Sequence, residues 1–256
     1  VFAEDEAALL RDAAASPDEL ASMVDRRVAG EPLEQIVGWA EFRGLRIAVE
    51  PTVFVPRRRT EFMVERASAL LPSGGVVVDL CCGTGAIGVA TVATMSDFSL
   101  YAADIDPAAV KCARRNVEPV GGQVFQGDLY DALPPGIRGQ VDVLVVNAPY
   151  VPTDDIALMP PEARDHEARV ALDGGSDGLE IHRRVAAGAS AWLRPGGHVL
   201  IETSVRQAAS TARLLTDAGV TARVEHSEDV DGTVAIGQRL LSSGGDVDPS
   251  ARQGRS

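Results

Sequence analysis

From residue 72 onward, short apolar runs bounded by Gly, Pro, Asn or Asp alternate with stretches in which apolar residues recur every three or four positions. The runs predict strands over 76–79, 99–104, 123–125, 141–146, 198–202, 222–226 and 233–237. The periodic stretches predict helices over 86–94, 107–116, 178–192 and 206–218. Such a series folds as an α/β domain, a doubly wound, mostly parallel seven-stranded sheet with helices on both faces. Only residues 227–232 join the last two strands, too few for a right-handed crossover, so that pair is expected to be antiparallel.

Upstream, residues 4–15 read as a helix, and Ser16-Pro17-Asp18-Glu19 supplies an N-cap, a first-position Pro and a capping-box Glu for a second helix ending near Gly30. Alternation through Leu45, Ile47 and Val49, then Val53 and Val55, predicts a hairpin-like connector, and Thr60 is placed to cap a helix running to Leu71. The expected organisation is a short helical segment over 1–31, a β-hairpin linker over 32–56, the sheet domain over 57–241 and a disordered tail over 242–256.

Composition narrows the function classes. At 256 residues and 45% apolar, the chain can bury one substantial core. It has no apolar run near the ~18 residues needed to cross a membrane, so a cytoplasmic protein without membrane partners is expected. Its three Cys and four His show neither disulfide nor metal-ligand spacing, and no metal site is expected. A net charge of −13 disfavours direct binding to nucleic acid. The opening Val1 suggests that upstream residues are missing or that the start is unusual.

Chemistry concentrates at the strand ends. "VVVDLCCGTGAIGVA" runs a strand through Asp79 into Gly83-Thr84-Gly85 and a helix. With Gly88 it matches the dinucleotide fingerprint, but Asp79 and three further residues precede the first Gly. The resulting wider loop, with a carboxylate at its root, opposes a pyrophosphate and suits a cationic ligand bearing an amino group and a sulfonium. The next strand ends at Asp104, with Ile105 beside it, where nucleoside-binding sheets bond a ribose diol. Asp106 reads as the N-cap of the helix beginning at Pro107. Asp128 ends the third strand and can accept from an adenine amino group while Leu129 packs on the ring.

The fourth strand ends in Asn147-Ala148-Pro149-Tyr150. A planar amide or amine nitrogen is a weak nucleophile, so a site that methylates one must hold its N–H groups and aim its lone pair. Asn147 and the Ala148 carbonyl offer acceptors for the N–H groups, and Tyr150 offers a flat wall. Placement of this kind can supply roughly 7–11 kcal/mol.

These segments resemble class I S-adenosylmethionine-dependent methyltransferases, and among them the HemK-type protein-(glutamine-N(5)) methyltransferases that modify peptide-chain release factors. The resemblance spans residues 32–240 and rests on "PLEQIVGWAEFRGL", "VFVPRRRTEFMVE", "DLCCGTGAIGVA", "PEARDHEARVALDGGSDGLEIHRR" and "LRPGGHVLIET" in order. It implies a Rossmann-like class I fold and S-adenosyl-L-methionine as cofactor, contacted by Gly83, Gly85, Asp104 and Asp128. Asn147 through Tyr150 would grip the substrate glutamine, under a covering segment containing Arg57, Thr60 and Glu61. The implied partner is a release factor. Three departures stand out: Ala148 replaces the first Pro of N-P-P-Y, the N-terminal helical segment is short, and "EARV" lacks an expected Pro. Alternatives are an amino-methyltransferase acting on adenine in nucleic acid or on a small molecule, a nicotinamide-dependent oxidoreductase, and a non-catalytic cofactor-binding protein. Gly121-Gly122-Gln123 repeats the tripeptide methylated in release factors and reads as a turn into a strand.

Overall fold

Alternate residues of the strand Val141–Val146 feed two different cores, Val143 and Val145 on one side of the sheet, Leu144 and Val146 on the other. All six of its residues are buried, as a central parallel strand requires. The computed structural model that shows this describes residues 3–241, so the tail expected to be disordered lies outside it. In chain order the strands are β1 Trp39–Phe42, β2 Leu45–Ala48, β3 Gly75–Leu80, β4 Phe98–Asp104, β5 Gln123–Gln126, β6 Val141–Val146, β7 Leu193–Glu202, β8 Val220–Ser227 and β9 Gly232–Arg239. The helices are α1 Ala3–Ala13, α2 Pro17–Val28, α3 Leu33–Val37, α4 Glu61–Leu70, α5 Ala86–Val92, α6 Pro107–Val117, α7 Pro161–His166, α8 Glu180–Trp192 and α9 Ala208–Asp217.

The sheet runs β5-β4-β3-β6-β7-β9-β8. Its first five strands are parallel, and β9 lies antiparallel to both β7 and β8, as the short connection requires. Chain order reverses between β3 and β6, opening a crevice at their carboxyl ends. Residues of α4, α5 and α6 cover one face, and residues of α8 and α9 cover the other.

Local signals hold where side chain and backbone act within one turn. Ser16 accepts from the Glu19 N–H at 3.2 Å, and Asp106 accepts from the Ala108 N–H at 2.9 Å. Glu19 reaches back one residue further than the usual box, to the Ala15 N–H at 2.7 Å. Gly121 adopts a left-handed turn leading into β5, as read for the Gly-Gly-Gln tripeptide. Thr60 is a correction: Arg58–Thr60 forms a 3-10 turn, Thr60 is already helical, and its hydroxyl caps nothing. The connector is also narrower than expected, with α3 occupying its first part because Gly38, left-handed, ends a helix there.

Candidate active site

A cavity of about 200 Å³ lies in the crevice over the ends of β3, β4 and β6. After β3 the backbone turns through left-handed Cys81, Gly83 and Gly85 before α5 begins. Gly85 must be glycine: its φ is +76°, and a Cβ there would lie 2.6 Å from Val117 Cγ2. Asp79 is fully buried, and its Oδ2 accepts from the Gly88 N–H at 2.8 Å. Its Oδ1 has no partner among the described residues, and burial pushes its pKa up to about 8. Neither Asp79 nor Gly85 reaches the cavity. Asp79 supports the loop from beneath through the Gly88 N–H.

Gly83, Thr84, Asp104, Ile105, Asp128 and Leu129 line one end of the cavity. Asp104 ties β4 to the glycine loop, accepting from Gly83 N–H and Asp106 N–H, each at 2.9 Å. Burial raises its pKa, an effect those N–H groups oppose. Asp128 pairs with Arg184 Nη2 at 2.7 Å, and Arg184 also lines the cavity. Ile105, half exposed, and Leu129 provide apolar faces beside the two carboxylates. Acceptors flanked by apolar faces fit a base and a ribose diol, and the carboxylates oppose a pyrophosphate.

At the other end, Asn147, Ala148, Pro149 and Tyr150 line the wall where β6 stops. The loop that follows is held by backbone pairing with residues 172–175. Val151 N–H donates to Leu172 O at 3.1 Å, Gly174 N–H to Val151 O at 2.8 Å, and Thr153 N–H to Gly175 O at 2.9 Å. Gln207 of the turn before α9 donates to Tyr150 O at 3.0 Å. Gly178 packs so closely that a Cβ would lie 2.2 Å from Tyr150 O. Burial raises the Tyr150 phenol to about 12, so it is protonated at neutral pH.

The covering segment differs from expectation in its residues. Thr60 lines the cavity, and its buried hydroxyl has no hydrogen-bond partner among the described residues. Arg57 and Glu61 do not reach it; Arg59 does. Arg57 instead binds buried Glu167 at 2.5 Å, and Glu167 also accepts from the Val55 N–H at 3.1 Å. Ala168 N–H donates to Thr52 O at 2.9 Å, joining residues 52–57 to 166–168 as a roof. Gln35 of α3 braces that roof, donating to Val53 O at 3.1 Å and His166 O at 3.3 Å. Sequence reasoning missed Arg59, Arg184, Gln207 and Glu202, the last a buried carboxylate ending β7 and paired with Arg59 at 3.3 Å. Glu202 had a findable signal, since it ends an apolar strand as Asp79 and Asp104 do; the others act only across the fold.

Residues 45–168 match the family model described as "Methyltransferase small domain". The release factor glutamine methyltransferase of Geobacter sulfurreducens is 38% identical over 209 residues, covering 80% of this chain and 72% of that protein. The 4-amino-L-phenylalanine/4-methylamino-L-phenylalanine methyltransferase of Streptomyces pristinaespiralis is 36% identical over 203 residues, covering 77% of this chain and 69% of that protein. Among solved structures, a methyltransferase from Pyrococcus furiosus aligns with a TM-score of 0.60 over 86% of this chain and 100% of that one. At 16% identity, that likeness is one of fold.

Proposed function

This chain belongs to the release factor glutamine methyltransferase family, and from that membership we propose that it methylates the side-chain amide nitrogen of a glutamine in a peptide-chain release factor. The observation that carries the reading is Asn147-Ala148-Pro149-Tyr150 at the end of a wholly buried strand, opening on the cavity. S-adenosylmethionine, the cofactor of the family, supplies an electrophilic methyl group on a sulfonium.

The chain's residues do the rest by placement. Asp104 and Asp128 receive the ribose diol and the adenine amino group, with Ile105 and Leu129 on the base. Gly83 and Thr84 bring backbone close to the amino-acid part, and the unpartnered Thr60 hydroxyl is available to it. The Asn147 side-chain carbonyl and the Ala148 backbone carbonyl take the two N–H groups of the amide, while Tyr150 lies against its plane. No strong base is needed, because the main gain is orientation of a weak nucleophile.

A second reading, methylation of a small arylamine, draws on the likeness to the 4-amino-L-phenylalanine enzyme and on Ala148 in place of proline. One assay separates them. The protein is incubated with labelled S-adenosylmethionine and, separately, a release factor, the same factor with its Gly-Gly-Gln glutamine replaced, and 4-amino-L-phenylalanine. Label that appears on the factor and vanishes with that glutamine supports the first reading; label on the amino acid alone supports the second.

A further inference from the structure

Glu202 is 1% exposed, yet it lies beside the one wall of the cavity that the proposed substrate must touch. Parallel pairing aligns Val146 of β6 with Ile201 of β7, so Glu202 follows at the level of Asn147. Its carboxylate receives Arg59 Nε at 3.3 Å, and its other oxygen has no hydrogen-bond partner among the described residues. Arg59 in turn carries its guanidinium carbon 6.0 Å from the Tyr150 ring centroid, at the reach of a cation–π contact. Three segments remote in sequence, at 59, 150 and 202, thus converge on one aromatic ring. Arg59 and Tyr150 line the cavity, and Glu202 does not.

A buried carboxylate with one charged partner is costly, and apolar side chains would pack that strand end more cheaply. Stability alone is a poor account of it. The backbone of Tyr150 is held by Gln207, but that bond does not set the orientation of the ring. We propose that Glu202 is a positioning residue which, by holding the Arg59 guanidinium over the Tyr150 ring, fixes the plane of that ring. The inference rests on the reading of Tyr150 as the wall against which the planar nitrogen group lies. Glu202 takes no part in proton transfer, since it does not meet the cavity.

The test is a double-mutant cycle with a release factor as substrate and S-adenosylmethionine affinity measured by calorimetry. Glu202→Gln and Arg59→Met are each expected to lower kcat/KM for the protein substrate at least about tenfold, with cofactor Kd unchanged within about twofold. In a Tyr150→Leu background, Glu202→Gln should cost less than about twofold more, because the ring it positions is gone. Equal losses in both backgrounds, or parallel loss of cofactor binding, would overturn the proposal. Should Glu202→Gln fail to fold, Arg59→Met reads the same coupling. A second arm needs no substrate. The chain has three tyrosines, so fluorotyrosine NMR, assigned with Tyr150→Phe, reports this ring directly. One narrow Tyr150 line that broadens or splits in the Glu202 and Arg59 variants is expected, and an unchanged line refutes the role of Glu202. If wild-type protein methylates no release factor, the functional reading fails while the NMR arm still decides this one.

Discussion

Asn147 is the first polar side chain after the four buried apolar residues Val143–Val146, and it lines the cavity. Asn147→Ala removes the side-chain acceptor proposed for the amide N–H groups, at the position that follows the last residue of β6. It is expected to lower kcat/KM for the methyl acceptor by about 100-fold or more, measured by transfer of labelled methyl, with cofactor affinity changed far less. Ala148 is buried and keeps the carbonyl that a proline would offer, but it adds an N–H and frees Asn147 from the pre-proline restriction. Ala148→Pro should therefore hold a glutamine peptide as tightly as wild type or slightly tighter. Markedly tighter binding by wild type, read by titration calorimetry, contradicts a looser clamp. Asp104 and Asn147 were legible in the sequence because each interrupts an apolar run at a strand end. Arg59 was not, because three consecutive arginines give no sign of which one faces inward.

At the scale of elements, the join between β3 and α5 rests on Asp79. Its folded pKa of about 8 stands far above the ~3.9 of an unfolded Asp, so the folded chain holds an extra proton between those values. Stability is therefore lost as pH rises through that window. Below about pH 4 both states are protonated and the difference disappears. Asp79→Asn keeps an oxygen for the Gly88 N–H and should flatten Tm between about pH 5 and 8, leaving the variant more stable than wild type at the upper end. The turn at Gly178 acts on the site from outside it. Gly178→Ala places a Cβ against Tyr150 O and, at 2.4 Å, Gln207 Nε2, so the loop must shift. We expect methyl transfer to fall about tenfold or more with cofactor affinity retained, by kinetics and calorimetry together. Strand and helix periods and the caps at Ser16 and Asp106 were readable because they depend on neighbours in sequence. Residues 153–172 gave no period to read: two 3-10 turns and the short α7 there are stabilised by partners far along the chain, such as Thr52 and Arg57.

Across the whole molecule, the mostly parallel seven-stranded sheet and its antiparallel last pair followed from the βαβ alternation and one short connection, while the strand order that locates the crevice came from the structure. What the alternation could not convey is how the crevice is covered. The roof combines a linker, a short helix and a loop more than 100 residues further on, tied by Thr52, Val55, Arg57, Glu167 and Ala168. Such a seam has a kinetic consequence. Were the spent cofactor to leave past this seam, the Thr52–Ala168 and Val55–Glu167 bonds would have to part and a buried carboxylate would meet water. Opening, rather than methyl transfer, should then limit the steady state. Rapid mixing is expected to show a burst of about one methylated product per enzyme before slower turnover. Glu167→Gln, which loosens the tie to Arg57, should shorten the cofactor's residence time and raise the slow phase while leaving the burst rate unchanged; a reaction linear from the first turnover would mean that the roof opens freely.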